Sequence, residues 1–183
     1  MATLNRKLTQ IFAEKTLVEL RRHVAPYHQL APGVHLGFEP SGRVEIEMRP
    51  KDDFTRSPDA CLNALRVDYR GPSRWLTIEA EFEWPELADA QQFQIGIYAR
   101  PDRDVTCRVV LRIPRGGEDS QDFEDIALCE LALAREGRSA HGRGSLGLEL
   151  PAEPSSRPPK LLVFFDASDD LCLAIDYLTA YFA

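Results

Sequence analysis

The spacing of hydrophobic residues divides the chain into two parts. Near the start, Leu4, Leu8, Ile11 and Phe12 recur at the spacing of one face of an α-helix. From residue 34 onward, short stretches alternate between hydrophobic and polar residues with a period of two, which is typical of β-strands. The pattern therefore predicts an N-terminal amphipathic helix followed by a domain of β-strands.

Ten short strands are predicted in the second part. Clusters of Pro, Gly, Asp and Ser separate them, and no segment with helical spacing lies between them. The predicted strands are Val34–Phe38, Arg43–Met48, Leu62–Tyr69, Trp75–Glu83, Phe93–Arg100, Val105–Ile113, Ile126–Leu133, Ser145–Leu150, Lys160–Phe165 and Leu171–Leu178. Without intervening helices a parallel sheet is disfavoured, so we expect an all-β fold, an antiparallel β-sandwich or jelly roll of about eight to ten strands.

The predicted domain organisation follows the same division. Pro26 and Pro32 interrupt helical structure, so residues 1–33 are interpreted as a helical N-terminal arm with a connector, and residues 34–183 as the β-sandwich domain. A chain of 183 residues fits one ordinary domain with its own core. The run Leu161–Phe165 is apolar on both faces, which predicts a central or covered strand, and the N-terminal helix is one candidate for the cover.

Composition and charge exclude two classes of partner. Hydrophobic residues make up 44% and charged residues 28% of the chain, and no apolar run reaches the roughly 18 residues that a membrane span needs. The net charge of −7 argues against a broad face for nucleic acid. The opening MATLNRKLTQIF has no continuous apolar core of a secretory signal, so we expect a cytoplasmic protein.

The cysteines indicate neither a metal site nor a redox pair. Cys61, Cys107, Cys129 and Cys172 occur singly within apolar stretches, without the C-x-x-C spacing of such sites. We therefore interpret them as reduced and mainly buried residues.

A polar face predicted on consecutive strands carries the candidate binding chemistry. An aromatic ring can stack on the apolar face of a sugar while amides, carboxylates and guanidinium groups bracket its hydroxyls. The alternative is a solvated sheet face finished by Glu–Arg pairs between strands. The candidate ligand-binding residues are Trp75, Glu79, Gln94, Tyr98, Arg100 and Arg108.

Motifs for catalysis and for metal binding are absent from the sequence. There is no G-x-S-x-G elbow, and the histidines lack the spacing of a metal site. Acidic stretches at residues 118–125 and 166–170 supply oxygen ligands of the kind that Ca²⁺ takes, but neither has the spacing of a calcium loop. We therefore expect a non-enzymatic protein with no cofactor and no metal.

Several segments together resemble the galactose-binding-like jelly rolls, the superfamily that includes many carbohydrate-binding modules. The segments are RWLTIEAEFEW with the following ELADA, the pair QFQIGIYAR and TCRVVLRI, and the closing pair KLLVFFD and LCLAIDYLTAYF. The resemblance implies a sugar-binding module, and the same fold also serves protein partners and structural roles.

Two functions are therefore predicted for this chain. The first is a carbohydrate-binding β-sandwich module. The alternative is a protein-interaction or assembly module, in which the N-terminal helix and an apolar sheet surface contact a partner or a second copy of the chain.

Overall fold

We describe the fold from a computed structural model, in residues 3–13, 22–50, 63–71, 75–88, 90–115, 122–147 and 156–183. In these ranges two helices and twelve strands follow one another along the chain. The elements are α1 (Thr3–Ala13), β1 (Arg22–Val24), β2 (His28–Ala31), β3 (Val34–Phe38), β4 (Arg43–Pro50), β5 (Asn63–Arg70), β6 (Leu76–Glu81), α2 (Pro85–Ala88), β7 (Gln92–Pro101), β8 (Val105–Pro114), β9 (Phe123–Leu133), β10 (Arg138–Ser145), β11 (Lys160–Phe165) and β12 (Leu171–Phe182).

The strands form two six-stranded antiparallel sheets that make a sandwich. The first sheet has the order β1-β4-β5-β12-β7-β10, and the second has the order β2-β3-β6-β11-β8-β9. Strands that follow one another in sequence thus often belong to different sheets, as β6, β7 and β8 do. This architecture confirms the predicted fold class.

The core lies between the two sheets, where the predicted alternation places it. Ile78 of β6, Ile95 and Ile97 of β7 and Val109 of β8 are all buried. Strand β11 lies between β6 and β8, which confirms that the run Leu161–Phe165 forms a central strand. A strand with neighbours on both edges can be apolar on both faces when its outward side chains are covered as well.

Helix α1 packs into this core through its apolar stripe. Leu4, Leu8, Ile11 and Phe12 are all buried, and the helix contacts β5 and β12 of the first sheet and β2 and β6 of the second. The Lys7 ammonium also donates a hydrogen bond to the carbonyl of Glu81 at 2.9 Å. The predicted helix is thus confirmed, but its stripe closes one end of the sandwich. It neither covers the outer side of β11 nor offers an apolar surface to a second copy.

Two predictions about the strands are corrected by the structure. Strands β1 and β2 lie in the N-terminal segment that was interpreted as a helical arm and connector. They were not predicted because they are only three and four residues long and Pro26 and Pro32 lie in the turns beside them. The first 33 residues therefore contribute strands to both sheets.

Neither helix in the described part of the chain has the length and the apolar character that a membrane-spanning helix needs.

The strand predicted at Ser145–Leu150 lies earlier in the chain, as β10, while residues 148–150 fall outside the described ranges. The inward positions of β10 are small, and at Gly142 a side chain of β9 approaches closely. A Cβ atom on Gly142 would lie 2.5 Å from the Cys129 sulfur. Small inward residues hide the alternation on which strand prediction depends.

Candidate functional site

The six predicted ligand-binding residues do not share one face. Gln94, Tyr98 and Arg100 lie on β7 in the first sheet, whereas Glu79 and Arg108 lie on β6 and β8 in the second. Trp75 directly precedes β6. The single polar face was a wrong prediction, because neighbouring strands in sequence were taken as neighbours in one sheet. The structure therefore offers two separate groups, one on each side of the sandwich.

A groove of about 370 Å³ lies on the outer face of the second sheet. It contains two of the predicted residues, Trp75 and Arg108, together with side chains from β9 and β11. The residues that line it are Trp75, Thr106, Arg108, Glu130, Phe164, Phe165 and Asp166. Aromatic rings, a guanidinium group, carboxylates and a hydroxyl thus converge on one concave surface.

Three of these side chains lie side by side across neighbouring strands. Phe164 of β11 stands opposite Arg108 of β8, which stands opposite Glu130 of β9. The Arg108 guanidinium lies 5.9 Å from the centre of the Phe164 ring, a cation–π distance. Within the described ranges neither Arg108 nor Glu130 forms an ion pair, although they occupy facing positions. Both groups are exposed and can hydrogen-bond a ligand.

The aromatic wall of the groove depends on a glycine. The Trp75 indole lies over Gly37 of β3, where an added Cβ would stand 3.1 Å from Cζ3 of the indole. The exposed ring of Tyr27 lies beside Trp75, with 6.1 Å between the ring centres and 48° between the ring planes. Tyr27 has a φ of 60°, which is uncommon for a residue with a side chain and marks a constrained turn between β1 and β2.

Glu79 does not face the groove, contrary to its predicted role. Its side chain is buried, accepts a hydrogen bond from the Thr77 hydroxyl at 3.3 Å and pairs with the Lys160 ammonium at 3.6 Å. The same ammonium lies 3.4 Å from the Glu81 carboxylate. These contacts occupy the carboxylate of Glu79, so it helps to hold β6 against β11 instead of meeting a ligand.

Three residues of the groove and its aromatic wall were not predicted, and the sequence contains only partial signals for them. Phe164 is, with Leu162, an outward residue of the Leu161–Phe165 run and is half-buried, so its place in the groove follows once the strand order is known. Predicting that Glu130 faces Arg108 would have required the register between β8 and β9, and a bulge shifts that register between Val109 and Val110. Tyr27 lies in a turn between two unpredicted strands, and no sequence pattern placed it beside Trp75.

The second group of predicted residues lies on the outer face of the first sheet. The Tyr98 ring stacks near Tyr177, with 6.2 Å between the ring centres. The Arg100 guanidinium donates a hydrogen bond to Asp176 at 3.2 Å. Gln94 is exposed near the N-terminal end of β7. This face therefore combines exposed polar groups with ion pairs between strands.

The acidic stretches are held by arginines where the structure describes them. Arg112 hydrogen-bonds Asp125 with distances of 2.7 and 2.8 Å, and Arg115 binds Glu124. Over the described ranges, no group of three His, Cys, Asp or Glu residues is arranged to hold a metal ion. Glu118 and Asp119 fall outside those ranges.

Asp170 gives the stability of the fold a pH dependence. The backbone N–H of Gly71 and the Arg70 guanidinium donate to its carboxylate at 3.0 and 2.9 Å and lower its pKa from the ordinary 3.8. Because the folded-state pKa is lowered, this stabilisation is present above the unfolded-state pKa and is lost as the pH falls through the folded-state pKa.

We expect Asp170→Asn to lower the free energy of unfolding at neutral pH and to have no such effect in strong acid. Urea titrations across the acid range measure this difference, and a pH-independent difference would contradict the assignment.

The three described cysteines are free thiols. Burial raises the pKa of Cys107 to about 12 and that of Cys172 to about 11. Burial also raises the pKa of Cys129. Thiols with raised pKa values remain protonated near neutral pH and are therefore unreactive. Cys107 is buried as predicted, whereas Cys129 and Cys172 are half-buried.

Comparison with solved structures places this fold among carbohydrate-binding modules. A xylan-binding domain of the family CBM 22 superposes with a TM-score of 0.50 and 11% sequence identity, covering 93% of this chain and 97% of that domain. The CBM22-1 and GH10 modules of a Clostridium thermocellum endo-1,4-β-D-xylanase, complexed with xylohexaose, superpose with a TM-score of 0.50 at 8% identity, covering 90% of this chain and 29% of that one. No family model and no curated protein matches the sequence.

At these identities the likeness is one of fold. The chain has the β-sandwich architecture of carbohydrate-binding modules, which confirms the resemblance noted in the sequence. The residues that bind a ligand in this chain have to be argued from its own side chains.

Proposed function

We propose that this protein is a non-enzymatic module that binds carbohydrate in the groove lined by Trp75, Arg108, Glu130 and Phe164. One observation carries the proposal: the Trp75 indole shares one groove of about 370 Å³ with the exposed Arg108 guanidinium and Glu130 carboxylate, which form no ion pair within the described ranges. That volume falls within the range of small-ligand sites, which is roughly 300–1,000 Å³.

The chemistry of these side chains fits a sugar. The axial C–H groups of a pyranose form an apolar face that can lie against the Trp75 indole. Arg108 supplies donors and Glu130 supplies acceptors, so together they can bracket neighbouring hydroxyls. The mixed charge of the groove favours a neutral ligand over a strongly charged one. Xylan and xylohexaose are the ligands named for the two structural neighbours, and they are therefore the first candidates here.

A titration of xylohexaose, together with a glycan array, tests the proposal. We expect the wild type to bind at least one glycan and Trp75→Ala to bind it at least about tenfold more weakly, as for a central aromatic contact. Tyr98→Ala removes an aromatic side chain on the opposite face of the sandwich and serves as the matched control. We expect this control to bind as the wild type does.

Two results would refute the proposal. One is a wild-type protein that binds nothing on the array or in the titration. The other is a folded Trp75→Ala variant with unchanged affinity, which would place the ligand elsewhere. A loss of binding in Tyr98→Ala alone would move the site to the first sheet.

A further inference from the structure

A second concave site lies on the outer face of the first sheet, on the side opposite the groove. It has a volume of about 260 Å³, and its lining includes three arginines. Ala64, Cys172 and Ala174 are also among its lining residues. Because β5, β12 and β7 are neighbours, Arg66 and Arg100 stand on either side of Ala174, whose small side chain leaves space between them.

Each of the three arginines is anchored by a carboxylate that is less exposed than the arginine itself. Arg66 donates through Nε and Nη2 to Asp68 at 3.1 and 3.2 Å, and Arg100 donates through Nη2 to Asp176 at 3.2 Å. The Arg66 and Arg100 side chains are 33% and 50% exposed, whereas those of Asp68 and Asp176 are 4% and 5% exposed. Arg49 likewise forms an ion pair with Glu47, whose side chain is less exposed than that of Arg49. Guanidinium groups therefore face solvent while their counter-charges lie beneath them.

Donors remain available on this surface. Among the described residues, Nη1 of Arg66 and both Nε and Nη1 of Arg100 have no hydrogen-bond partner. The carboxylates beneath hold the guanidinium groups in place, which reduces the entropy lost when a ligand binds. The raised pKa of Cys172 keeps its thiol neutral, so the thiol adds no negative charge to the site.

We propose that this surface, framed by Arg49, Arg66 and Arg100, binds an oxyanion: a carboxylate, phosphate or sulfate group. The planar donor fork of arginine matches two oxygens of such a group, and charge-assisted hydrogen bonds of this kind are among the strongest in proteins. Asp102, an exposed carboxylate in the lining, restricts the room for negative charge and favours a single oxyanion over a polyanion. This site is independent of the carbohydrate groove, because it lies on the other sheet.

Titration of the full chain with inorganic phosphate, sulfate and glucuronate, each at constant ionic strength set with chloride, tests the proposal. Amide chemical shifts in ¹⁵N-labelled protein provide the readout. We expect at least one of the three to bind saturably and to shift the amides around Arg66, Cys172 and Ala174. A response to glucuronate alone would identify an acidic sugar as the source of the group, and a response to phosphate or sulfate would identify a tetrahedral oxyanion.

Variants separate this site from general charge effects. We expect Arg49→Gln and Arg100→Gln to weaken binding about tenfold each, the loss of one charge-assisted hydrogen bond. Arg138→Gln removes an exposed, ion-paired arginine of β10 and should leave the affinity unchanged. If Arg100→Gln does not fold, Arg49→Gln and the wild-type shifts still decide the outcome. Shifts no larger than those with chloride, or equal weakening by Arg138→Gln, would overturn the proposal.

Discussion

Replacing Phe12 by alanine is expected to lower the free energy of unfolding by about 3–5 kcal/mol. The Phe12 side chain is 0% exposed and belongs to the same core cluster as the inward residues of both sheets. Removing it leaves a cavity where α1 closes one end of the sandwich. Since a domain of this kind has a total stability of about 5–15 kcal/mol, the loss is a large part of what holds the fold together.

Urea unfolding followed by tryptophan fluorescence measures this effect. Arg6→Ala is the matched control, because Arg6 lies on the exposed side of the same helix, and its substitution should change stability by no more than about 0.5 kcal/mol. If α1 were a docking arm for a partner, Phe12→Ala would leave the stability unchanged. An unchanged midpoint for Phe12→Ala would therefore contradict the packing of α1 described above.

Replacing Gly37 by valine is expected to disturb both the fold and the groove lined by Trp75. An added Cβ would lie 2.5 Å from the Thr77 hydroxyl and 2.9 Å from the Glu79 carboxylate, distances that no packed side chain tolerates. Overpacking of this kind costs about 1–3 kcal/mol. The same Cβ would stand 3.1 Å from the Trp75 indole, so we expect the ring to move and the affinity for the glycan to fall with the stability.

Unfolding and glycan titration of the same variant test the two effects together. Gly144→Ala is the matched control, since Gly144 also lies in a strand and the nearest atom to its added Cβ is 3.8 Å away. We expect that control to range from no change to a gain of about 1 kcal/mol in stability. A Gly37→Val protein that is destabilised but binds normally would show that Gly37 does not position Trp75.

The architecture was largely predictable because the residues of strands such as β8 alternate between the core and the opposite face with a period of two. The residues of β6, β7 and β8 that were predicted to face inward are buried. Strands β1 and β2 were missed, since three or four residues carry too little pattern. Strand β10 was misplaced, since its inward positions are Ala140, Gly142 and Gly144.

The candidate sites were predictable only in part. Trp75 and Arg108, which were predicted on one face, line one groove, but Tyr98 and Arg100 lie on the other side of the molecule. The alternation of hydrophobic and polar residues predicts on which side of its own strand a residue lies. This pattern does not predict to which sheet the strand belongs. The sheet assignment determines which side chains can contact the same ligand.

The amphipathic helix, the series of antiparallel strands and the inward residues of the core can all be inferred from the sequence, because these features depend on local periodicity. The packing of α1, the order of the strands and the division of the polar residues between two faces become known from the three-dimensional fold alone. These properties depend on contacts between residues far apart in the chain. The groove on the second sheet joins Trp75 to Glu130, and the concave surface on the first sheet joins Arg49 to Cys172, across strands whose pairing no local pattern encodes.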